Sequence, residues 1–505
     1  MANFPRKYII KYVVLFILSV CFLLIFSLWT SPIYKGWYGC DASFFTMAGR
    51  GILSGWVPYR DFFDLKGPYF FFFEALGQVV CKGRFGAFWL QCLALFASLV
   101  LIERICSCKA LSLKKTCFIT GLLLFMHIAT LWGGNTLEEY LLPLSLLCVY
   151  MAVKDSLSPK SGLIIGICFG IMMFSKITIA APIVGLVIGV VIISIKEKEF
   201  KKLMTFCLYG ILGFLIAITP IFIYFGIHKA IYDMLYSCFI FAFKRSVDFS
   251  EKFNLRWELK ISPCYFAIVY SGCQMICGRL SKNCTNDSKP VQSDNSAPIS
   301  EASKSSNLHV IILCMGIITA ICLHLGVPFI YYFTTCYPVL IITLVSLFVD
   351  YEAIEIFKHW ALDIPLLCLL IVICYYASHS ASTLNTVIYD KDDGYYMKYV
   401  DSAKEMASLI PENDRDSVYS INMDMQWFEI TQILPCYSYT INLQFFVALD
   451  KQIEDNIINK LETDPPKWIV AGDDLFGYLP NISTIVDKYY TEVYSNDFGH
   501  LLLLN

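Results

Sequence analysis

Charge is what this sequence has least of. Only 16% of its 505 residues are Asp, Glu, Lys or Arg, against about 25% in a soluble globular chain. An ordinary soluble domain is thereby excluded. The motifs of phosphate-cradling and hydrolytic sites are missing too: there is no P-loop, no HExxH and no GxSxG. Nothing points to ATP, nucleotide or nucleic-acid chemistry, and a net charge of -2 offers no basic surface for a polyanion. No internal repeat is found, which counts against a transporter built from two related halves. The ten-residue alternating segments of a membrane barrel are absent. The 21 cysteines lack framework spacing, and most lie inside apolar runs as small hydrophobes. Cys106 and Cys108 have no His or second Cys pair nearby, so no metal clip is expected. The first apolar run, Tyr8 to Trp29, is long for a signal peptide and lacks a small-residue cleavage site.

What is present is apolar length. Hydrophobic residues make up 57% of the chain, and runs near 20 residues, enough to cross a bilayer, recur along it. The sequence predicts spans at 8–30, 86–103, 117–132, 139–153, 162–175, 178–195, 203–226, 261–278, 308–325, 332–350 and 361–377. The expected fold is a polytopic α-helical membrane protein of about 11 transmembrane helices with outer interface helices. Placing Arg6, Lys7 and Lys11 in the cytoplasm puts nearly every short Lys/Arg cluster on the same side. This holds if residues 68–83 do not cross but lie at the interface, with Glu74 and Gln78 on one face. The outer side then holds the 31–85 loop, the Trp132–Glu139 turn, the Lys176 turn, the 227–260 loop, the His324–Tyr331 turn and everything after Ala377. The inner side holds a polar insert, 279–307, that reads as disordered; its Asn283 and Asn286 sequons face the wrong way for glycosylation. Residues 1–377 form the membrane domain in this reading, and 378–505 a small soluble α/β domain outside the cell. Strands are expected at 417–423 and 468–471, helices at 393–410, 450–461 and 482–490, and short strands near 492–494 and 500–504.

Residues 40–68 are both charged and sticky. Asp41, Arg50, Arg60, Asp61, Asp64 and Lys66 sit among aromatic and aliphatic residues. Such a loop suits a ligand with a charged head and a greasy tail. Asp41 opens a helix-like run stopped near Gly55, as an N-cap or as a functional carboxylate at headgroup level. Tyr59-Arg60-Asp61 and Asp64-Leu65-Lys66-Gly67-Pro68 follow, with Pro68 suited to the first helical position. Lys66 and Arg60 beside a helix N-terminus would bind a phosphate; headgroup snorkelling is the plainer alternative. In the Asn135–Pro143 stretch, Thr136 and Glu139 have the spacing of a capping box, leaving Glu138 or Asn135 for a site. Carboxylates here are costly if they enter lipid, about 2.5–3.5 kcal/mol at mid-span, so they are expected to face a cavity. Lys176 would pair with Glu138 or a lipid phosphate, or snorkel. His324, Tyr331 and Tyr332 are weaker candidates at another outer turn.

In these residues the chain resembles bacterial members of the dolichyl-phosphate-mannose-protein mannosyltransferase superfamily, glycosyltransferase family 39 and its relatives. These share the GT-C fold and include the lipid A aminoarabinose transferases. The resemblance rests on Asp41 after the first span, Gly55-Trp-Val-Pro-Tyr-Arg-Asp61, Asp64-Leu-Lys-Gly-Pro68, the Asn135–Pro143 segment and the terminal soluble domain. It implies inverting transfer of a sugar from a polyprenyl-phosphate carrier, at the outer face of the plasma membrane, to a glycan, lipid or protein. It also implies Asp41 as catalytic base, Lys66 on the donor phosphate and Glu138 at a second acidic position. Many relatives carry an acidic pair at the first point; here Asp41 is followed by Ala42. Arg60 and Lys176 complete the expected donor contacts, with Asp64, Tyr59, Asn135 and Glu139 in support. No metal or other cofactor is called for, because a lipid monophosphate can be met by Lys and Arg alone. The rival readings are a transporter or flippase of lipid-linked sugars, an O-antigen-type polymerase or ligase, and a non-catalytic assembly subunit.

Overall fold

The computed structural model describes residues 6–245, 255–286, 299–326, 329–351, 360–389, 394–472 and 479–505. Every expected span coincides with a helix. The helices at those positions are α1 (Arg6–Phe26), α4 (Arg84–Cys108), α5 (Leu113–Thr130), α6 (Leu137–Asp155), α7 (Pro159–Met173), α8 (Ala181–Lys196), α9 (Phe200–Ile227), α12 (Leu255–Asn286), α13 (Ile299–His324), α14 (Tyr337–Tyr351) and α15 (Trp360–Tyr389). Eight stretches of described helix are long and apolar enough to cross a bilayer on length and composition alone. At 15 residues α7 is short for that, and α6 carries two glutamates in its first turn. The apolar runs decide the architecture because a helix satisfies its own backbone hydrogen bonds in lipid. The last span does not stop at 377 as expected but continues to Tyr389. Much of the 279–307 insert, namely 287–298, lies outside the described residues.

Between α1 and α4 lie α2 (Cys40–Leu53) and α3 (Pro68–Val80). At 13 residues, α3 rises about 20 Å, too little to span the roughly 30 Å hydrocarbon layer. Pro68 occupies its first turn behind an extended Gly67, and Glu74 and Gln78 are both buried. The N-cap reading of Asp41 is corrected: Gly39 holds that position, and Asp41 lies inside the first turn of α2. Small residues let spans approach closely. A Cβ on Gly166 of α7 would fall 2.0 Å from the Gly210 carbonyl oxygen of α9, and one on Gly213 would fall 2.1 Å from that of Leu163. Beyond α9, α10 (Ile231–Leu235) and α11 (Ala242–Arg245) flank a π-helical turn.

The C-terminal region carries α16 (Tyr395–Ser408), α17 (Gln426–Thr431), α18 (Leu443–Leu449), α19 (Lys451–Thr463) and α20 (Pro480–Tyr489) around one sheet. Its strands are β1 (Val418–Ile421), β2 (Trp468–Ala471), β3 (Tyr490–Asn496) and β4 (Gly499–Leu504), in the order β1-β2-β4-β3. β1 and β2 run parallel, Val418 opposite Trp468, and β2 and β4 antiparallel, Trp468 opposite Leu503. β1 and β2 are buried throughout, in keeping with the unbroken apolar run of β2 and a β1 that carries a single polar residue, Ser420. This unit docks on the loops around α2: the Tyr38 amide donates to Gln426 Oε1 at 3.1 Å, Arg50 to the Phe428 carbonyl at 2.7 Å, and the Phe63 amide to the Ser438 carbonyl at 3.0 Å.

Candidate active site

Two loops far apart in sequence meet around Trp29. Its amide donates to the Gly133 carbonyl at 2.8 Å. Its indole lies so close to Gly39 and Gly133, at φ +81° and +87°, that a Cβ on either would come within 2.4–2.8 Å of the ring. Only glycine allows that approach and that backbone. The clamp sets the start of α2, with Asp41, beside the turn leading into α6, with Asn135 and Glu138.

A second joint brings in the cations. The Gly67 amide donates to the Ser175 carbonyl at 2.7 Å, and a Cβ on Gly67 would fall 2.1 Å from the Phe174 oxygen. Lys66 and Lys176, each adjacent in sequence to that joint, are thereby brought to the same cavity. The result is a cavity of about 200 Å³ whose wall includes Asp41, Lys66, Asn135, Glu138 and Lys176, with Trp29, Phe45, Trp132, Tyr331 and Tyr332 as its aromatic lining.

The charges differ in how they are held. Lys176 Nζ lies 2.6 Å from Glu138 Oε1 and 3.0 Å above the centre of the Tyr332 ring. The Glu138 side chain is 2% exposed and that of Lys176 21%, so a buried carboxylate meets a partly exposed ammonium in a charge-assisted pair braced by a cation–π contact. Lys66 is held loosely, 3.3 Å from Asp64 Oδ1 and 4.5 Å over the Phe45 ring. Its backbone is fixed firmly: its amide donates to Asp64 Oδ1 at 2.8 Å, and its carbonyl accepts from the Tyr59 hydroxyl at 2.7 Å. Tyr59 itself sits at φ +70°, a costly conformation for a non-glycine residue. Asp41 is partly exposed to the cavity and forms no hydrogen bond or ion pair with any described residue. It is therefore open to a ligand proton. Burial pushes the neighbouring Cys40 thiol up to about 12, so it is no nucleophile at neutral pH.

Of the sequence candidates, Asp41, Lys66, Lys176, Glu138 and Asn135 meet in one cavity, and Asp64 and Tyr59 stand behind Lys66. Glu139 completes the capping box with Thr136 and accepts from Gln91 Nε2 at 2.6 Å, turned away from the cavity. Arg60 is half-exposed and bound to Asp61 at 2.9 Å, outside the cavity wall. The adjacent Asp61 captures it, and the turn that buries Tyr59 points its neighbour outward. Sequence reasoning gave no role to Trp29, Trp132 or Phe45, and ranked Tyr331 and Tyr332 low; aromatic residues at loop ends are too common in a membrane protein to stand out. Another buried ionisable pair lies apart from the cavity: Asp350, near the C-terminal end of α14, is 3.3 Å from His309. Among the described residues, no group of three His, Cys, Asp or Glu is placed to hold a metal ion.

No family model matches the chain, and no curated protein matches it. Solved structures do. The crystal structure of ArnT from Cupriavidus metallidurans bound to undecaprenyl phosphate matches with a TM-score of 0.55 at 14% identity, covering 97% of this chain and 98% of that one. The apo structure of the same protein matches with a TM-score of 0.42 at 13% identity, over 98% of both chains. At that identity the likeness speaks to architecture: this chain has a GT-C-like fold, similar to ArnT from its first span to its C-terminal sheet.

Proposed function

We propose that this protein is a glycosyltransferase that moves a sugar from a polyprenyl-phosphate carrier to an acceptor hydroxyl at the outer face of the plasma membrane. The carrying observation is the unpaired Asp41 carboxylate sharing one aromatic-walled cavity with Lys66 and Lys176. The similarity in fold to a protein crystallised with undecaprenyl phosphate supports the same ligand class here.

The chemistry follows from the charges. An acceptor hydroxyl attacks the anomeric carbon as the bond from that carbon to the phosphate oxygen breaks. Asp41 accepts the hydroxyl proton, and the phosphate leaves with the bonding electrons. A sugar hydroxyl is a poor nucleophile, and a carboxylate within reach contributes about 10²–10⁴-fold by removing its proton as bonding develops. A single displacement inverts the anomeric centre. Lys66 meets the growing phosphate charge, since Asp64 holds its ammonium only loosely. Lys176, already neutralised by Glu138, shapes the cavity and orients the acceptor. The lipid tail lies among the exposed apolar helix faces and holds the head in register.

The test is transfer of radiolabel from a panel of polyprenyl-phosphate sugars by the purified full chain. Transfer from at least one donor by wild type, and its loss in a folded Asp41→Asn variant, is the expected result. Equal transfer by both proteins would overturn the proposal.

A further inference from the structure

Directly behind the cavity wall lies a carboxylic acid that the mechanism above does not use. Glu74, on α3, is completely buried, and neither of its oxygens has a hydrogen-bond partner among the described residues. Such a group is rare in a packed interior and calls for an explanation. α3 is pressed against α2 at this point: a Cβ on Gly49 would fall 2.8 Å from the Glu74 carbonyl carbon.

Its surroundings tie it to the cavity. Asn135, a wall residue, lies beside the carboxyl and favours its charged form without reaching hydrogen-bond geometry. The Asn135 amide is held elsewhere: its Oδ1 accepts from the Tyr140 hydroxyl at 2.5 Å, and its Nδ2 lies 3.5 Å from the Tyr38 hydroxyl. The other ionisable groups facing Glu74 are Tyr38 before α2, Tyr140 on α6 and Glu429 on α17. The nearby cations, Arg50 and Arg84, act on Glu429, with Arg50 Nη2 3.6 Å from Glu429 Oε2. No lysine or arginine is paired with Glu74 among the described residues.

We propose that Glu74 is a positioning residue kept as a neutral acid, and that its ionisation sets the alkaline limit of ligand binding in the cavity. This rests on the reading of the cavity as a phosphate site. Neutral Glu74 leaves Asn135 on Tyr140. Ionised Glu74 draws the Asn135 amide toward itself and sets an unpaired negative charge behind the seat of an anion. The burial that leaves the acid without partners also raises its proton affinity, to a pKa of about 8, with Glu429 adding to the rise. The group is thus neutral at pH 7 and ionised above pH 8–9.

The experiment is binding of undecaprenyl phosphate to the detergent-purified full chain, read by the fluorescence of Trp29 and Trp132, at pH 7 and pH 9. The ratio of Kd at pH 9 to Kd at pH 7 is expected to be about three- to tenfold larger in wild type than in Glu74→Gln, the effect of one charge across a partly wet site. Glu74→Gln has the shape of the acid and cannot ionise. Should it fail to fold, Glu429→Gln gives the same test: without the repelling carboxylate, the alkaline break in binding moves to lower pH. Equal ratios in wild type and Glu74→Gln, or an unmoved break in Glu429→Gln, would overturn the inference while leaving the phosphate site standing. Failure of wild type to bind the lipid at any pH would instead remove the phosphate reading, and this inference with it.

Discussion

The two sides of the cavity each pair a buried carboxylate with a partly exposed lysine, one tightly and one loosely. On the α6–α7 side, Lys176, about a fifth exposed, lies 2.6 Å from the buried Glu138 carboxylate and is covered by Tyr332. On the α2–α3 side, Asp64 and Lys66 are 3.3 Å apart with the lysine a quarter exposed, and Asp41 has no partner among the described residues. A buried pair cannot surrender one member without leaving a bare charge in a dry place. A loose pair can exchange one oxygen for another at small cost. In the function proposed above, the tighter pair keeps the cavity's shape and the looser one meets the ligand.

The sharpest way to break this contrast is at Asp41. Asp41→Asn should lower transfer about 10²–10⁴-fold with an unchanged melting temperature, because the carboxylate supports no described neighbour; a radiolabel assay beside a thermal melt checks both. Next comes the closed side. Glu138→Ala should destabilise the chain by about 3–5 kcal/mol, since it strands Lys176, and denaturant unfolding in detergent would read it. Replacing both members, Glu138→Gln with Lys176→Met, should recover most of that loss. Lys66→Ala should weaken binding of a polyprenyl phosphate about ten- to a hundredfold, the size of a charge-assisted hydrogen bond, and cost less stability than Glu138→Ala, because the buried Asp64 keeps its bond from the residue-66 amide. The smallest effect belongs to Arg60→Ala: its partner is Asp61 outside the cavity wall, so lipid-phosphate affinity should stay within about twofold of wild type, as for an exposed pair. A large loss there would mean that the donor head sits outside the cavity described above.

How far the sequence could be read depended on the range of the contacts. The spans, the short α3, the capping box at Thr136 and the buried β1 and β2 are local or periodic features, and each was legible. The Glu138–Lys176 pair was within reach because both flank outer turns where only a few charges compete. The N-cap of α2 was misassigned because Gly39 leaves no side-chain signal, and its position is imposed by Trp29. α17 and α18 were missed because they are only 6 and 7 residues long, too short for a helical period to show. The docking of α17 joins Tyr38 to Gln426, 388 positions apart, and no pattern in one chain announces such a contact. Glu74 was assigned a helix face but not a condition, because the absence of partners is a property of packing.

The contact between the Gly67 amide and the Ser175 carbonyl has a consequence for selectivity. The gap between the two lysines is gauged by main chain rather than by flexible side-chain stems. A headgroup a little too wide would have to prise apart two backbones, not rotate an ammonium aside. On the proposed phosphate reading, size discrimination would be lodged at a position where even one added methyl group would jam the gauge.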